Sequence, residues 1–248
     1  MSKIIPVNRF EIYYNNLIKK SDFINSAFID SNIVISAYDE DHSFNPSTMV
    51  LLDLLTDKDF NLYTSVIVRS EVLNYFRKQY ISKIILEHDI LNKVRPVLKD
   101  KIENYMKQHD ILSEKLIKDL MSDFKIKYTV WKELCKSCIN DPINKIYDLL
   151  ISNKDFTYKS PQDDPDLFTV ERIPWDGAKD IIATTGIGSA DAMIINIFNY
   201  SKSPFIVTND LDIAYAILCA HKINKDVLTS EDQYKKLKKY GFPDYYFF

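Results

Sequence analysis

The stretch AFIDSNIVISA, residues 27–37, places a carboxylate, Asp30, at the end of an apolar run and continues with further apolar residues. An ionised carboxylate is costly to bury unless it is paired or holds a metal. Asp30 is therefore either a turn residue or part of a site. The chain around it must let a buried strand open onto that residue. Residues 26–35 read as this strand.

The same pattern recurs along the chain. NPSTMVLLDLLTD from Asn45 reads as a short helix opened by polar residues and proline, and FNLYTSVIV from Phe60 as a second β-rich run. That run passes near Ser65 into a helix in which Val68, Val72, Leu73 and Phe76 recur at three- and four-residue steps. After residue 180, GIGSADAMIINIFNY reads as a helix capped by Ser189, SPFIVTNDLD as a strand ending in an acidic turn, and KDVLTS as a last strand after a small-residue helix. Strands alternating with helices predict an α/β fold with a mostly parallel sheet.

Between these halves the character changes. Ile81, Ile84, Ile85, Leu91, Val94, Leu98, Ile102 and Tyr105 keep a helical period, as do Leu116, Ile117, Leu120, Met121, Phe124, Tyr128, Trp131, Leu134 and Cys138. Two long amphipathic helices are expected, with Asp141 and Pro142 as cap and first position of a third. Lys78 to Lys136 hold 13 Lys and Arg against 9 Asp and Glu, a mildly basic stretch. Residues 159–180, with Pro161, Pro165 and Pro174, read as a long loop. The resulting division is 1–79 and 180–248 for the α/β domain, 80–155 for an inserted helical subdomain and 156–179 for the proline-containing loop.

Composition restricts the function classes. A formal net charge of −3 with 27% charged residues is not that of a polycation that coats nucleic acid by counterion release alone. MSKIIPVNRFEIYYNN lacks the apolar core of a signal peptide, and no run of about 18 apolar residues occurs. A cytoplasmic protein without membrane contact is expected. Cys135 and Cys138 form a CxxC, but zinc needs two further ligands, so they read as small core-facing residues. His42, His88, His109 and His221 are scattered without ligand spacing. The tail FPDYYFF is too apolar for a free end and is expected to dock on the body or on a partner.

Two strands end in aspartates, Asp30 and Asp210, with Asp212 two residues beyond the second. Glu71 falls in the first two turns of the helix after the second strand, and Asp191 in the first turn of the helix at Ser189. In open α/β sheets ligands bind outside the carboxyl ends of the strands, and helices start at that same edge. All four acids can therefore converge. Taken singly, each also has an ordinary role: a helix N-terminus for Asp191, turns for Asp210 and Asp212, an Asx-turn for Asp30, a solvated helix face for Glu71. Together, four carboxylates repel one another unless a cation lies between them. Mg²⁺ or Mn²⁺ meets that need through oxygen ligands, and suits the attack of water on a phosphodiester.

FIDSNIVIS, TSVIVRSEVLN, GIGSADAMI and IVTNDLD resemble, in order and setting, the motifs of the PIN-domain nucleases, which include the VapC-like toxins. On that resemblance Asp30, Glu71, Asp191 and Asp210 are catalytic metal ligands, with Asp212 auxiliary. Ser31, Asn32 and Thr208 stand behind them to orient carboxylates and water. The resemblance implies a three-layer α/β/α fold and a Mg²⁺- or Mn²⁺-dependent ribonuclease acting on RNA. It also implies a toxin or defence role, with an antitoxin or other protein as partner through the helical insertion or the tail. A second copy of the chain is a further candidate partner. The span between Glu71 and Asp191 is far longer than in the small toxins. Arg69, Arg77 and Lys78 flank Glu71 and are candidates for touching the RNA backbone.

Other acidic α/β folds fit less well. A haloacid-dehalogenase-type phosphatase needs Asp where Asn32 stands, and a receiver domain needs an early acidic pair that is absent. Gly186 and Gly188 do not make a dinucleotide fingerprint. A PIN-like interaction protein without activity, and a DNA-directed nuclease, remain as rivals.

Overall fold

The computed structural model describes residues 2–87, 90–123, 128–152, 156–220 and 223–248. Phe124, His88 and His221 lie outside the described residues, as do the side chains of Tyr128 and Cys138. The chain forms two compact units, residues 1–69 with 154–248, and residues 70–153.

The first unit begins with β1 (Ile4–Pro6) and α1 (Phe10–Leu17), followed by β2 (Ser26–Ile29), α2 (Ser31–Tyr38), α3 (Asn45–Thr56) and β3 (Asn61–Thr64). The strand expected over 26–35 stops at Ile29. Asp30 adopts an extended backbone at φ −80° and ψ 160°, and its carboxylate accepts the Ser31 N–H at 2.7 Å, which makes it the N-cap of α2. A satisfied cap outweighs the strand preference of the β-branched residues in SNIVIS, because the first helical N–H groups otherwise lack partners.

α4 (Val66–Glu87) leads into the second unit, which continues through α5 (Pro96–Met106), α6 (Glu114–Met121), α7 (Tyr128–Leu134) and α8 (Asn140–Ser152). Two long helices were expected from the period, but the chain is broken more often. A 3₁₀ turn covers Ile90–Lys93, Pro96 opens α5 at a position that needs no N–H, and Ser113 caps α6 by accepting from the Leu116 N–H. The periodic residues still share one core, in which Ile81, Ile85, Leu98, Ile102, Ile117 and Leu120 are buried together. Asp141 is not a cap. A π turn over Cys135–Ile139 runs directly into α8, so Asp141 and Pro142 are already helical. The wider turn accommodates the missing N–H and the ring of Pro142.

The first unit resumes with β4 (Thr157–Tyr158), α9 (Trp175–Thr185), α10 (Ser189–Tyr200), β5 (Phe205–Val207), α11 (Leu211–Cys219), β6 (Asp226–Thr229) and α12 (Glu231–Lys239). The segment expected to be a proline loop thus holds a strand, a 3₁₀ turn at Pro165–Leu167 and the start of α9. Two of its three prolines mark element starts, Pro165 opening the 3₁₀ turn and Pro174 as the N-cap of α9, while Pro161 lies in a turn. The N-cap of α10 is Gly188, not Ser189.

The strands form one parallel sheet in the order β1-β6-β5-β2-β3-β4, an α/β architecture compatible with three α/β/α layers. Every residue of β1, β2 and β5 is buried, as sheets covered on both faces require. The tail docks on this unit. Phe247 bridges Ile4 beside β1, and the Phe248 N–H donates to the Ile4 carbonyl at 3.1 Å. Covering the outer edge in this way removes an exposed template for pairing with other chains. Among the described residues no helix is long and apolar enough to cross a membrane.

Candidate functional site

From β2 the chain steps outward through β3 to β4, and from β5 outward through β6. The direction reverses between β2 and β5, where Phe28 pairs with Ile206 and Ile29 with Val207. This is the switch point at which open sheets form a crevice beyond their strand ends. Asp30 follows β2, and Thr208, Asn209 and Asp210 follow β5.

The two strand ends are joined by side chains. Asp30 is fully buried, and its Oδ1 accepts from the Ser31 N–H. Its Oδ2 accepts from the Thr208 hydroxyl at 2.7 Å and from the Asn32 amide. Asn32 also donates to Thr208 Oγ1 at 3.0 Å and accepts the Asn209 N–H at 3.0 Å. Thr208 Oγ1 in turn accepts the Asp210 N–H at 2.9 Å. Buried carboxylates are held when donors converge on them, and these donors fix Asp30 while aligning the backbone that carries Asp210.

Asp210 caps α11 by accepting the Asp212 N–H at 2.7 Å. Asn209, which the sequence reading passed over, braces the same loop. Its Oδ1 accepts the Ser230 N–H at 3.1 Å, and its amide lies 3.5 Å from Thr48 Oγ1. Its one sequence signal was an amide side chain directly before Asp210 at the strand end.

Asp191 lies in the first turn of α10, where an acid complements the helix N-terminus. A side chain at Gly188 would meet Asp191 Oδ2 at 3.2 Å. Gly186, with φ +73°, ends α9 in the left-handed conformation that glycine adopts freely. These turns enclose a cavity of about 410 Å³ lined by both Asp191 and Asp212. Tyr215 and Tyr240, absent from the sequence reading, line it too. The Tyr215 phenol is pushed to a higher pKa, first by its hydrogen bond with Cys219.

The structure does not gather all the expected acids. Among the described residues no three His, Cys, Asp or Glu side chains stand close enough to share a metal ion. Glu71 belongs to the second unit, on α4, as do Arg77 and Lys78. The crevice described here is built from first-unit residues alone. Arg77 is held by Asn74 and by an ion pair with Glu114, and the Arg69 guanidinium lies 4.9 Å from the Tyr158 ring centre. The donors at the crevice are carboxylate oxygens, which fit a hard divalent cation. Mg²⁺ keeps several waters and needs only about one or two protein carboxylates, so Asp191 and Asp212 on one cavity meet that demand.

No protein-family model matches the chain, and neither a curated protein nor a solved structure is significantly similar to it.

Proposed function

We propose that the crevice between β2 and β5 is the centre of a PIN-like, Mg²⁺- or Mn²⁺-dependent endoribonuclease. The observation that carries this reading is the Asp30–Asn32–Thr208 network, which ties the first and last acidic motifs together at the switch point of a parallel sheet. Asp191 and Asp212, which line one cavity, are the residues that would hold the cation, with Asp210 next to Asp212 at the cap of α11 and Asp30 anchored behind the strand ends. The cation would supply an activated water and neutralise charge on the phosphate oxygens. Asn32 and Thr208 hold the Asp30 carboxylate at the β2–β5 switch point, and Asp210 stays in place by capping α11. A role as a toxin or defence effector belongs to the same proposal, as does a protein partner.

The test is cleavage of RNA by the purified chain in Mg²⁺ or Mn²⁺. Activity should vanish on chelation and in Asp30→Asn, and fall about 10- to 100-fold in Asn32→Ala, the range for residues that orient metal ligands. Glu71→Gln asks separately whether the helical unit contributes to the chemistry. Activity that survives chelation, or that is unchanged in Asp30→Asn, sinks the metal mechanism. Cleavage confined to DNA favours the DNA-directed rival. No cleavage of any nucleic acid, with no thermal stabilisation by Mn²⁺, favours an interaction protein.

A further inference from the structure

We propose that Tyr215 and Tyr240 form a base-stacking wall beside the carboxylates, which makes single-stranded RNA the substrate class. The proposal deepens the ribonuclease reading above and rests on it. The two rings line the same cavity as Asp191 and Asp212, with Gly186 and Gly188 forming its turn side. Tyr215 follows Asp212 by one helical turn of α11, so the two share a face of that helix. Tyr240 is 63% exposed and Tyr215 42%, although other aromatic residues of this unit, including Phe10, Phe28, Phe198 and Phe205, are fully buried.

The rings continue outward from the cavity. Tyr215 stands 5.4 Å from Phe242, Phe242 6.0 Å from Tyr246, and Tyr246 4.6 Å from Tyr245, measured between ring centres. The end of the tail behaves differently: Phe247 packs on Tyr234 and Phe248 on Tyr13. Of the preceding rings Tyr245 is exposed, while Phe242 and Tyr246 are half-buried like Phe247 and Phe248.

A cavity of about 410 Å³ falls in the range of about 300–1,000 Å³ typical of small-ligand sites. When a phosphodiester sits by the carboxylates, the adjoining base lies within reach of the wall. Unpaired bases stack on aromatic faces without regard to sequence, whereas duplex bases are already stacked on one another. The neutral Tyr215 phenol adds no charge to repel the backbone.

Two measurements on the full chain test this. In Mn²⁺, the chain should cleave a single-stranded RNA and leave its blunt duplex intact. Tyr215→Ala and Tyr240→Ala should each raise KM roughly 5- to 150-fold with kcat little changed, as loss of one stacked base implies. The Phe variants should stay near the wild-type KM. Fluorescence anisotropy of labelled single-stranded RNA on the wild-type chain and the ring variants, with Ca²⁺ as an oxygen-liganded cation in place of Mn²⁺, should show the same ring dependence. Equal cleavage of duplex and single strand overturns the wall, as does a KM unmoved in both Ala variants. If no RNA is cleaved yet binding still depends on the rings, the ribonuclease reading fails and the wall stands.

Discussion

Thr208→Val removes one hydroxyl from the fully buried centre of the crevice and keeps the side chain's shape. The lost group donates to Asp30 Oδ2 at 2.7 Å and accepts from Asn32 at 3.0 Å and from the Asp210 N–H at 2.9 Å. A hydrogen bond to a charged acceptor contributes about 1.5–3 kcal/mol. The Asn32 amide hydrogen left without an acceptor costs about 1 kcal/mol more. The Asp210 N–H is only half-buried and can turn to water, so it adds little. The expected loss is therefore about 2.5–4 kcal/mol, roughly 5–15 °C in Tm for a chain of this size. Thr208→Ser keeps the hydroxyl and should lose only the buried methyl contribution, about 1 kcal/mol. Thermal unfolding followed by far-UV circular dichroism reads both. If Val costs no more than Ser, the hydroxyl does not hold the two strand ends together, and the reasoning about Asp30 fails with it.

Two further outcomes test the rest of the structure. Burial pushes the Lys225 ammonium down to about 7, although its Nζ donates to the Phe198 carbonyl at 2.7 Å and to the Ser201 carbonyl. Between that value and the ordinary 10.5 the unfolded chain binds the extra proton, so this residue makes stability rise with pH across that window and has no such effect below it. The slope is at most about 1.4 kcal/mol per pH unit, and urea midpoints of Lys225→Met should lose it. In the second unit, the buried Asp123 carboxylate accepts from the Arg95 backbone N–H and from its side-chain Nε at 2.9 Å. Asp123→Ala should weaken the start of α5 by about 1–3 kcal/mol, seen as faster hydrogen exchange there while the crevice in the first unit keeps its protection.

Much of the first unit is legible in the sequence, because β2, β3, β5 and β6 are short apolar runs closed by polar residues. β1 is not, since Ile4–Pro6 is too short to show a period and exists by pairing with β6. α2 is misread because Ile33, Val34 and Ile35 carry strand preference, and only the cap made by Asp30 decides otherwise. In the second unit the helical period identifies the core residues but not the breaks. Those are set where Pro96, Ser113 and Pro142 meet hydrogen-bonding demands. At the site, Asp30, Asn32 and Thr208 are visible as motif residues. Their network is not, because it forms only when two strands distant in sequence become neighbours. The same holds for Asp191 and Asp212 with Tyr215 and Tyr240, which share a cavity through folding alone.

The charge distribution explains why such a site would rely on rings and cations. Residues 70–153 carry 15 Lys and Arg against 12 Asp and Glu, leaving 17 against 23 for the first unit. That unit is net negative, yet it holds the crevice. A phosphate chain approaching it gains nothing from general counterion release and meets like charge at Asp191, Asp210 and Asp212. On the proposed function, hard cations at the carboxylates would remove the local repulsion, and stacking on the phenols would supply contact that does not depend on charge. The same acids that discourage a phosphate without a cation would become its binding surface once one is bound, so the proposal expects binding as well as cleavage to be conditional on the metal.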